Sequence, residues 1–293
     1  MLIDCHVHSV GKEKANEVLD SMTQFSIDKA IIFAPYPGKI ITKDAVSSEP
    51  TKYGQLSYLD VSQEAQEKST KFISSLQAEA PDKITAFAWI EPRLKKTVKN
   101  IEEAVIKHEC KGIKMIPDHW YPYDPKMFPI YEKIQELGVP IFFHSGILYG
   151  MKDSSRFCRP VNYEVLLNFP KIRFALAHIS WPWTDECIAL FGRFKAYYDF
   201  KEDKREEEIQ MYIDTTPGTP KFYRREAFNR ALSFGLADYM IFGSDTFLDH
   251  PSAFRQAKYI AEMDKGIIRE LGYSEEVIQK IQCENIKRYL KMA

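Results

Sequence analysis

Eight short apolar runs recur along the chain, most of them ending in polar, Pro or Gly residues. They are LIDCHVH (2–8), KAIIFAP (29–35), ITAFAWI (84–90), GIKMIP (112–117), PIFFHSG (140–146), RFALAHIS (173–180), MYIDTTP (211–217) and MIFGSDT (240–246). Between most of them lie segments whose apolar residues recur at helical spacing, among them Val98 to Lys107, Met127 to Leu137 and Ala227 to Phe234. Strands that alternate with helices pair in parallel through right-handed crossovers. Eight such units predict an α/β fold, a single closed (β/α)8 TIM barrel, rather than an open doubly wound sheet. No GxGxxG follows the first strand, which argues against a dinucleotide-binding fold as well. A closing C-terminal helix is predicted from Ser274 to Lys291, opened by a Ser N-cap and two acidic residues in its first turn.

The rhythm breaks once, between the second and third strands, where Tyr36 to Gln63 forms a long insertion rich in Pro, Gly, Ser and Thr. The insertion follows the C-terminal end of a strand, the face on which barrel enzymes build their sites. It is therefore either a lid or a surface decoration. No linker divides the chain, and residues 1–293 are expected to form one barrel domain.

Composition narrows the class. Hydrophobic residues make up 45% and charged residues 28%, values of a globular chain with a sizeable core. The net charge is −1 and no block of Lys or Arg stands out, so neither nucleic acid nor a membrane surface is an expected partner. The densest charge run, Phe200 to Glu208, mixes signs and reads as a solvated turn or helix face. Cys5, Cys110, Cys158, Cys187 and Cys283 are scattered without CxxC spacing, the usage of reduced thiols. With no secretory leader and no apolar run of membrane length, a cytoplasmic location is expected.

The first strand brings in the chemistry. Alternation sends Asp4, His6 and His8 to one face, and Ile3, Cys5 and Val7 to the other. Two imidazoles one strand repeat apart can share a metal ion. Three later strands end in side chains of the same kind: His144 in FFHSG, His178 in ALAHIS and Asp245 in FGSDT. In a closed barrel the ends of the first, fifth, sixth and eighth strands converge on one mouth, which would gather four histidines and an aspartate. Alternation also puts Lys114 inside the barrel, where an unpaired ammonium is costly. It is expected to pair with a carboxylate or to contact an anionic substrate.

The order HxH, His, His, Asp on those four strands resembles the pattern of the amidohydrolase superfamily. The contexts IDCHVH, GIKMIP, IFFHSG, ALAHIS, IFGSDT and CENIKRYL resemble its amidohydrolase 2 branch, over nearly the whole chain from Ile3 to Leu290. That branch holds metal-dependent hydrolases and decarboxylases related to aminocarboxymuconate semialdehyde decarboxylase. The resemblance implies that His6, His8, His144 and Asp245 hold one divalent ion, Zn2+ or alternatively Mn2+. It implies that His178 is a non-ligand histidine, hydrogen-bonded to the bound water or to substrate. Such an ion brings the pKa of its water to about 7. Asp245 would then relay a proton while His178 polarises the substrate oxygen. Asp4 would either orient a ligand histidine or pin the barrel floor. A carboxylated lysine on strand four bridges two metals in some relatives; for Lys114 a single-metal site is the preferred reading.

Candidate substrate contacts lie in the loops beyond the strands. Trp120, Tyr121, Tyr123, Trp181 and Trp183 would wall a pocket for a flat or apolar molecule, or else pack the rim. Arg93, Arg156, Arg159, Arg224 and Arg225 are candidates for clamping a carboxylate, and Glu91 and His119 are further candidates. The leading expectation is a hydrolase that uses a metal-bound hydroxide on an ester, lactone or amide of a small carboxylated or aromatic substrate. The alternative is a non-oxidative carboxy-lyase on the same scaffold. A nuclease of the TatD type also begins DxHxH, but its Glu-containing GEIGLD-like strand is missing here. A catalytically dead scaffold is disfavoured by the complete ligand set. A homodimer in which a neighbouring subunit completes the pocket is compatible with the sequence.

Overall fold

The computed structural model describes residues 1–41, 58–149, 154–200 and 210–292. In chain order its strands are β1 (Ile3–His8), β2 (Lys29–Phe33), β3 (Gly38–Ile41), β4 (Tyr58–Val61), β5 (Ile84–Trp89), β6 (Gly112–Met115), β7 (Ile141–Phe143), β8 (Phe174–Leu176), β9 (Met211–Asp214), β10 (Met240–Ile241) and β11 (Thr246–Phe247). The helices are α1 (Ala15–Gln24), α2 (Gln63–Glu79), α3 (Thr97–Glu102), α4 (Phe128–Leu137), α5 (Thr184–Asp199), α6 (Lys221–Ser233), α7 (Phe254–Glu270), α8 (Glu275–Gln279) and α9 (Asn285–Leu290). Nine strands form one parallel sheet in the order β10-β9-β8-β7-β6-β5-β2-β1-β11.

The predicted eighth strand is split. Met240 and Ile241 pair with β9, whereas Thr246 and Phe247, five residues further on, pair with β1. Between them, Cys5 N donates to Phe242 O at 3.0 Å and Asp245 N to His6 O at 2.9 Å. One short segment therefore bonds to both ends of the sheet and closes the ring, as the eight-unit pattern requires. The bend between its halves holds Asp245.

Inside the barrel, buried apolar strand residues such as Phe33 and Phe142 stand beside the polar Asp4, His6, Lys114 and Asp214, and it is sealed by helices whose apolar positions recur every three or four residues. On α7 these are Phe254, Ala257, Ile260, Ala261 and Ile268, all buried. The C-terminal helical segment is α8, one wide turn over Lys280–Glu284, and α9. Asn285 Nδ2 donates to Met240 O at 2.7 Å, and Tyr289 Oη to Ile141 O at 2.8 Å. These bonds fasten the closing helix to strand backbone. Ser274 has the extended N-cap backbone, but its hydroxyl makes no capping bond. Helix α6 begins six residues ahead of the predicted Ala227, just after Pro220.

Part of the insertion is a two-stranded antiparallel hairpin, β3 with β4, followed by α2. Ser62 caps α2 by accepting from Ala65 N at 3.1 Å. The tip of the insertion, residues 42–57, lies outside the described residues, as does most of the charge run ending at Glu208. Among the described residues no helix is long and apolar enough to cross a membrane.

Candidate metal centre

Strand β1 does not alternate as predicted. Its register against β2 shifts between Asp4 and Val7, where three steps along β1 match two along β2. That bulge turns Cys5 inward as well, so that its thiol lies 3.8 Å from Asp214 Oδ1. His6 and His8 still face one centre. The His6 ring stands edge-on to Phe33 and Phe142, and His8 stacks on Phe247 at 4.7 Å.

The other groups are carried by unusual backbone. Strands β7 and β8 stop short of their histidines, at Phe143 and Leu176. His178, Ile179 and Ser180 then take three consecutive left-handed conformations, with φ of 63°, 46° and 54°. Asp245 is left-handed too, at φ 58°. For residues other than glycine each such conformation costs on the order of 1–3 kcal/mol. Hydrogen bonds hold the turn: Thr219 Oγ1 and Trp181 N donate to His178 O at 2.8 and 3.0 Å.

His6 Nε2, His8 Nε2 and Asp245 Oδ1 converge, with separations of 3.1 Å between the imidazoles and 3.3 and 3.2 Å to the carboxylate. His6 Nδ1 donates to Asp214 Oδ2 at 2.8 Å, so its Nε2 carries a lone pair. Burial pushes the pKa of His6 far down and lowers that of His8, keeping both imidazoles neutral. Burial alone would raise Asp245, but the hydrogen bond from His8 and the nearby His178 hold it at about 2. Two neutral imidazoles and an ionised carboxylate thus share too few protons for their lone pairs. Donor atoms around one ion with bonds of about 2.0–2.1 Å lie about 2.9–3.4 Å apart. The three separations match that spacing, so the residues fit a divalent cation. His8 Nδ1 is buried with no partner among the described residues.

His178 belongs to the same cluster. One ligand-type atom each from His6, His178 and Asp245 lie within 4.8 Å of one another. Burial lowers the pKa of His178 to about 4, and its Nε2 stands 3.3 Å from His144 Nδ1. His144 Nε2 is turned to the carbonyl oxygen of Ile147 at 3.2 Å, and burial depresses its pKa strongly. The structure therefore groups His6, His8, His178 and Asp245, with His144 adjoining them through His178.

The remaining sequence-level candidates sort differently. Lys114 is fully buried, and its Nζ has no hydrogen-bond partner among the described residues. It rests 4.4 Å from the Phe33 ring centre and 4.9 Å from that of Phe142, not on a carboxylate. Burial lowers its pKa, against the pull of Asp214 and Asp245. Asp4 does not touch a histidine ring. It accepts from His6 N, Ser244 N and Ser244 Oγ, which pins β1 to the bend before Asp245.

Arg224 is buried and forked onto Asp264 at 2.6 and 2.8 Å. Arg159 pairs with Glu186 at the surface, and Arg225 stands exposed beside Glu226 and Glu270. Arg93 is forked onto Glu91 at 2.6 and 2.9 Å, with Asp118 at 3.5 Å. Asp118 in turn holds His119 Nδ1 and Ser154 Oγ. Arg156 is exposed, its guanidinium 4.9 Å from the Phe157 ring centre. The rim aromatics mostly pack on one another: Tyr121 on Tyr123 and Phe157, Trp181 near Tyr223, and Trp183 under Arg159. Trp120 is buried, its Nε1 unpartnered among the described residues.

Sequence reasoning missed Asp214 and Thr216. Thr216 Oγ1 donates to Asp214 Oδ2 at 2.5 Å and lies 2.7 Å from His178 Nδ1. A signal was present, because MYIDTTP ends a strand in an acid, as FGSDT does.

A family model described as amidohydrolase matches residues 3–291. The chain belongs to the amidohydrolase family. No curated protein matches it. Among solved structures this amidohydrolase is similar to an uncharacterised TIM-barrel protein from Bordetella bronchiseptica, at 16% identity over 99% of this chain and 98% of that one, TM-score 0.68. It is similar to 5-carboxyvanillate decarboxylase from Sphingomonas paucimobilis, at 13% identity over 100% and 99% of the two chains, TM-score 0.63. A third is a dihydroxybenzoic acid decarboxylase from Polaromonas sp. JS666 with bound manganese and 2-nitroresorcinol, at 14% identity over 99% and 96%, TM-score 0.64. At these identities the likeness establishes the barrel. Family membership makes the amidohydrolase a metal-dependent enzyme.

Proposed function

We propose that this amidohydrolase is a hydrolase that adds water across an ester, lactone or amide bond of a small substrate. His6, His8, His144 and Asp245 would hold one Zn2+ or Mn2+ ion. The observation that carries the reading is the triplet of His6 Nε2, His8 Nε2 and Asp245 Oδ1 beside a neutral, buried His178. When bound, the ion supplies Lewis acidity and lowers the pKa of water to about 7. Asp245 and His178 present two acceptors to the two protons of an attacking water, which orients it. Asp245 then carries a proton to the leaving group. Burial keeps His178 neutral at neutral pH, and with its proton on Nδ1, facing Thr216 Oγ1, it would accept a hydrogen bond at Nε2. The polarising role implied by the family resemblance would need a proton there.

Hydrolysis is favoured over loss of carbon dioxide by the engagement of the arginines. Arg93, Arg159 and Arg224 are each bonded to a carboxylate of the chain itself. One observation favours the carboxy-lyase alternative: Lys114 leaves a buried cation without a hydrogen-bond partner among the described residues, where a substrate carboxylate would be attracted. The names of the similar decarboxylases point the same way. A cleft of about 590 Å3 opens between the hairpin and α2, and none of the five cluster residues lines it. Tyr36 lines that cleft and stacks on His8 at 6.0 Å.

Mass spectrometry of a pooled panel of lactones, esters, amides and carboxylated aromatics, incubated with Zn2+- or Mn2+-loaded protein, tests the proposal. Gain of water is expected. Loss of carbon dioxide would replace the proposal with the lyase reading, and turnover that persists in both His144→Ala and Asp245→Ala would overturn the site.

A further inference from the structure

Asp214 lies beneath the metal cluster with all of its acceptor capacity used. Oδ2 receives His6 Nδ1 at 2.8 Å and Thr216 Oγ1 at 2.5 Å. Oδ1 receives Thr216 N at 2.9 Å and the Cys5 thiol at 3.8 Å. Burial raises the pKa of Asp214 to about 7; once ionised, the carboxylate only accepts, and the protons of this chain then have one consistent direction. His6 must donate from Nδ1. Thr216 must spend its single hydroxyl proton on Asp214, and its oxygen is then left to accept. The group 2.7 Å from that oxygen is His178 Nδ1, which must therefore be N–H. The same oxygen also accepts the backbone N–H of His178 at 3.2 Å.

We infer that Asp214 and Thr216 are positioning residues that lock His6 and His178 in the same tautomer, Nδ1–H, so that both Nε2 lone pairs face the metal cluster. One buried carboxylate thereby sets two imidazoles with different tasks, a ligand and a water acceptor. The assignment of those two tasks rests on the proposed function; the tautomers do not. The packing around the chain is correspondingly close. A Cβ on Gly243 would lie 2.6 Å from Asp214 Oδ1 and 2.7 Å from the His6 Cβ, so glycine there lets the bend approach the pair.

The experiment is a two-bond 1H–15N correlation on metal-free protein labelled with 15N-histidine, which distinguishes Nδ1–H from Nε2–H. Above pH 8, where Asp214 is ionised, both His6 and His178 are expected as Nδ1–H in the wild type. In Thr216→Val, His178 should lose that preference while His6 keeps it, and Thr216→Ser should restore His178. In Asp214→Asn the amide can donate to His6, and Zn2+ affinity, read by competition with a chromophoric chelator, should fall by about 10–100-fold. Finding His178 as Nε2–H in the wild type, or unchanged in Thr216→Val, would overturn the inference. Neither readout uses a substrate, so a wrong reaction class leaves both intact. If the wild type bound no Zn2+, the proposed function would fail while the tautomer spectra still decided this point.

Discussion

Replacing Gly218 by alanine adds one methyl group to the loop facing His178. Built on the existing backbone, that Cβ would lie 2.5 Å from the His178 Cγ, 2.6 Å from Nδ1 and 2.7 Å from its Cβ. Favourable carbon contacts begin at about 3.5 Å, so ring and loop must part by about 1 Å. Neither side yields easily. The ring is bonded through Nδ1 to Thr216, and the loop is bonded back through Thr219 to the His178 carbonyl. Overpacking of this kind costs about 1–3 kcal/mol of stability. Misplacing a reacting group by about 1 Å costs about 100-fold in rate. The expected result is a folded variant with kcat reduced by about two orders of magnitude. It is measured by steady-state kinetics on the substrate found in the panel, beside a thermal melt. Gly266→Ala is the control: it sits in α7 with nothing within 4 Å of the new methyl group. That control should gain about 0.5–1 kcal/mol and keep its activity. Wild-type kcat in a cleanly folded Gly218→Ala protein would refute the claim that His178 acts from this position.

Chelation followed by Zn2+ titration should raise the melting temperature, because an ion held only by the folded state adds about 2.7 kcal/mol at 100 times its Kd. A melt that ignores Zn2+ would count against the site. Lys114 has a folded-state pKa of about 8, below its ordinary 10.5. Above pH 8 the folded state sheds a proton that the unfolded chain still holds, so stability rises with pH up to about 10.5. In metal-free protein, Lys114→Met should be more stable at pH 7 by about 3 kcal/mol, and urea melts should show the difference vanishing toward pH 10.5. A constant difference across that window would sink the argument. Asp264→Ala leaves the Arg224 guanidinium buried without its carboxylate, and should cost about 3–5 kcal/mol in denaturant unfolding. Arg159→Ala removes only an exposed pair and should change stability by less than about 1 kcal/mol.

Much of the site was legible before any coordinates, and for a simple reason. Buried parallel strands are short apolar runs, and a polar residue closing such a run stands at the barrel mouth whatever surrounds it. His144, His178 and Asp245 were found that way, and His6 and His8 by period two. The same logic ran out where hydrogen bonds rather than hydrophobicity determine placement. The β1 bulge, which brings Cys5 toward Asp214, leaves no trace in an apolar pattern. An aspartate followed by two threonines at the end of β9 reads equally well as a turn. The arginines were the weakest reading, because an Arg in a loop carries no mark of its partner. Arg224 finds Asp264 forty residues away, and Arg93 folds back on Glu91.

The sequence by itself determined the alternation of strands and helices, the ring they make, and which polar residues stand at its mouth. Those properties follow from local period and from burial, which each segment carries in its own residues. Only the tertiary structure decided that the eighth strand breaks in two around Asp245, and that His178 sits on three left-handed residues. It alone decided that Asp214 and Thr216 join the His6 and His178 rings, and that Lys114 stays buried without a hydrogen-bond partner among the described residues. These depend on where a lone pair or a charge finds itself once segments about 200 residues apart have met, and no window along the chain contains both partners.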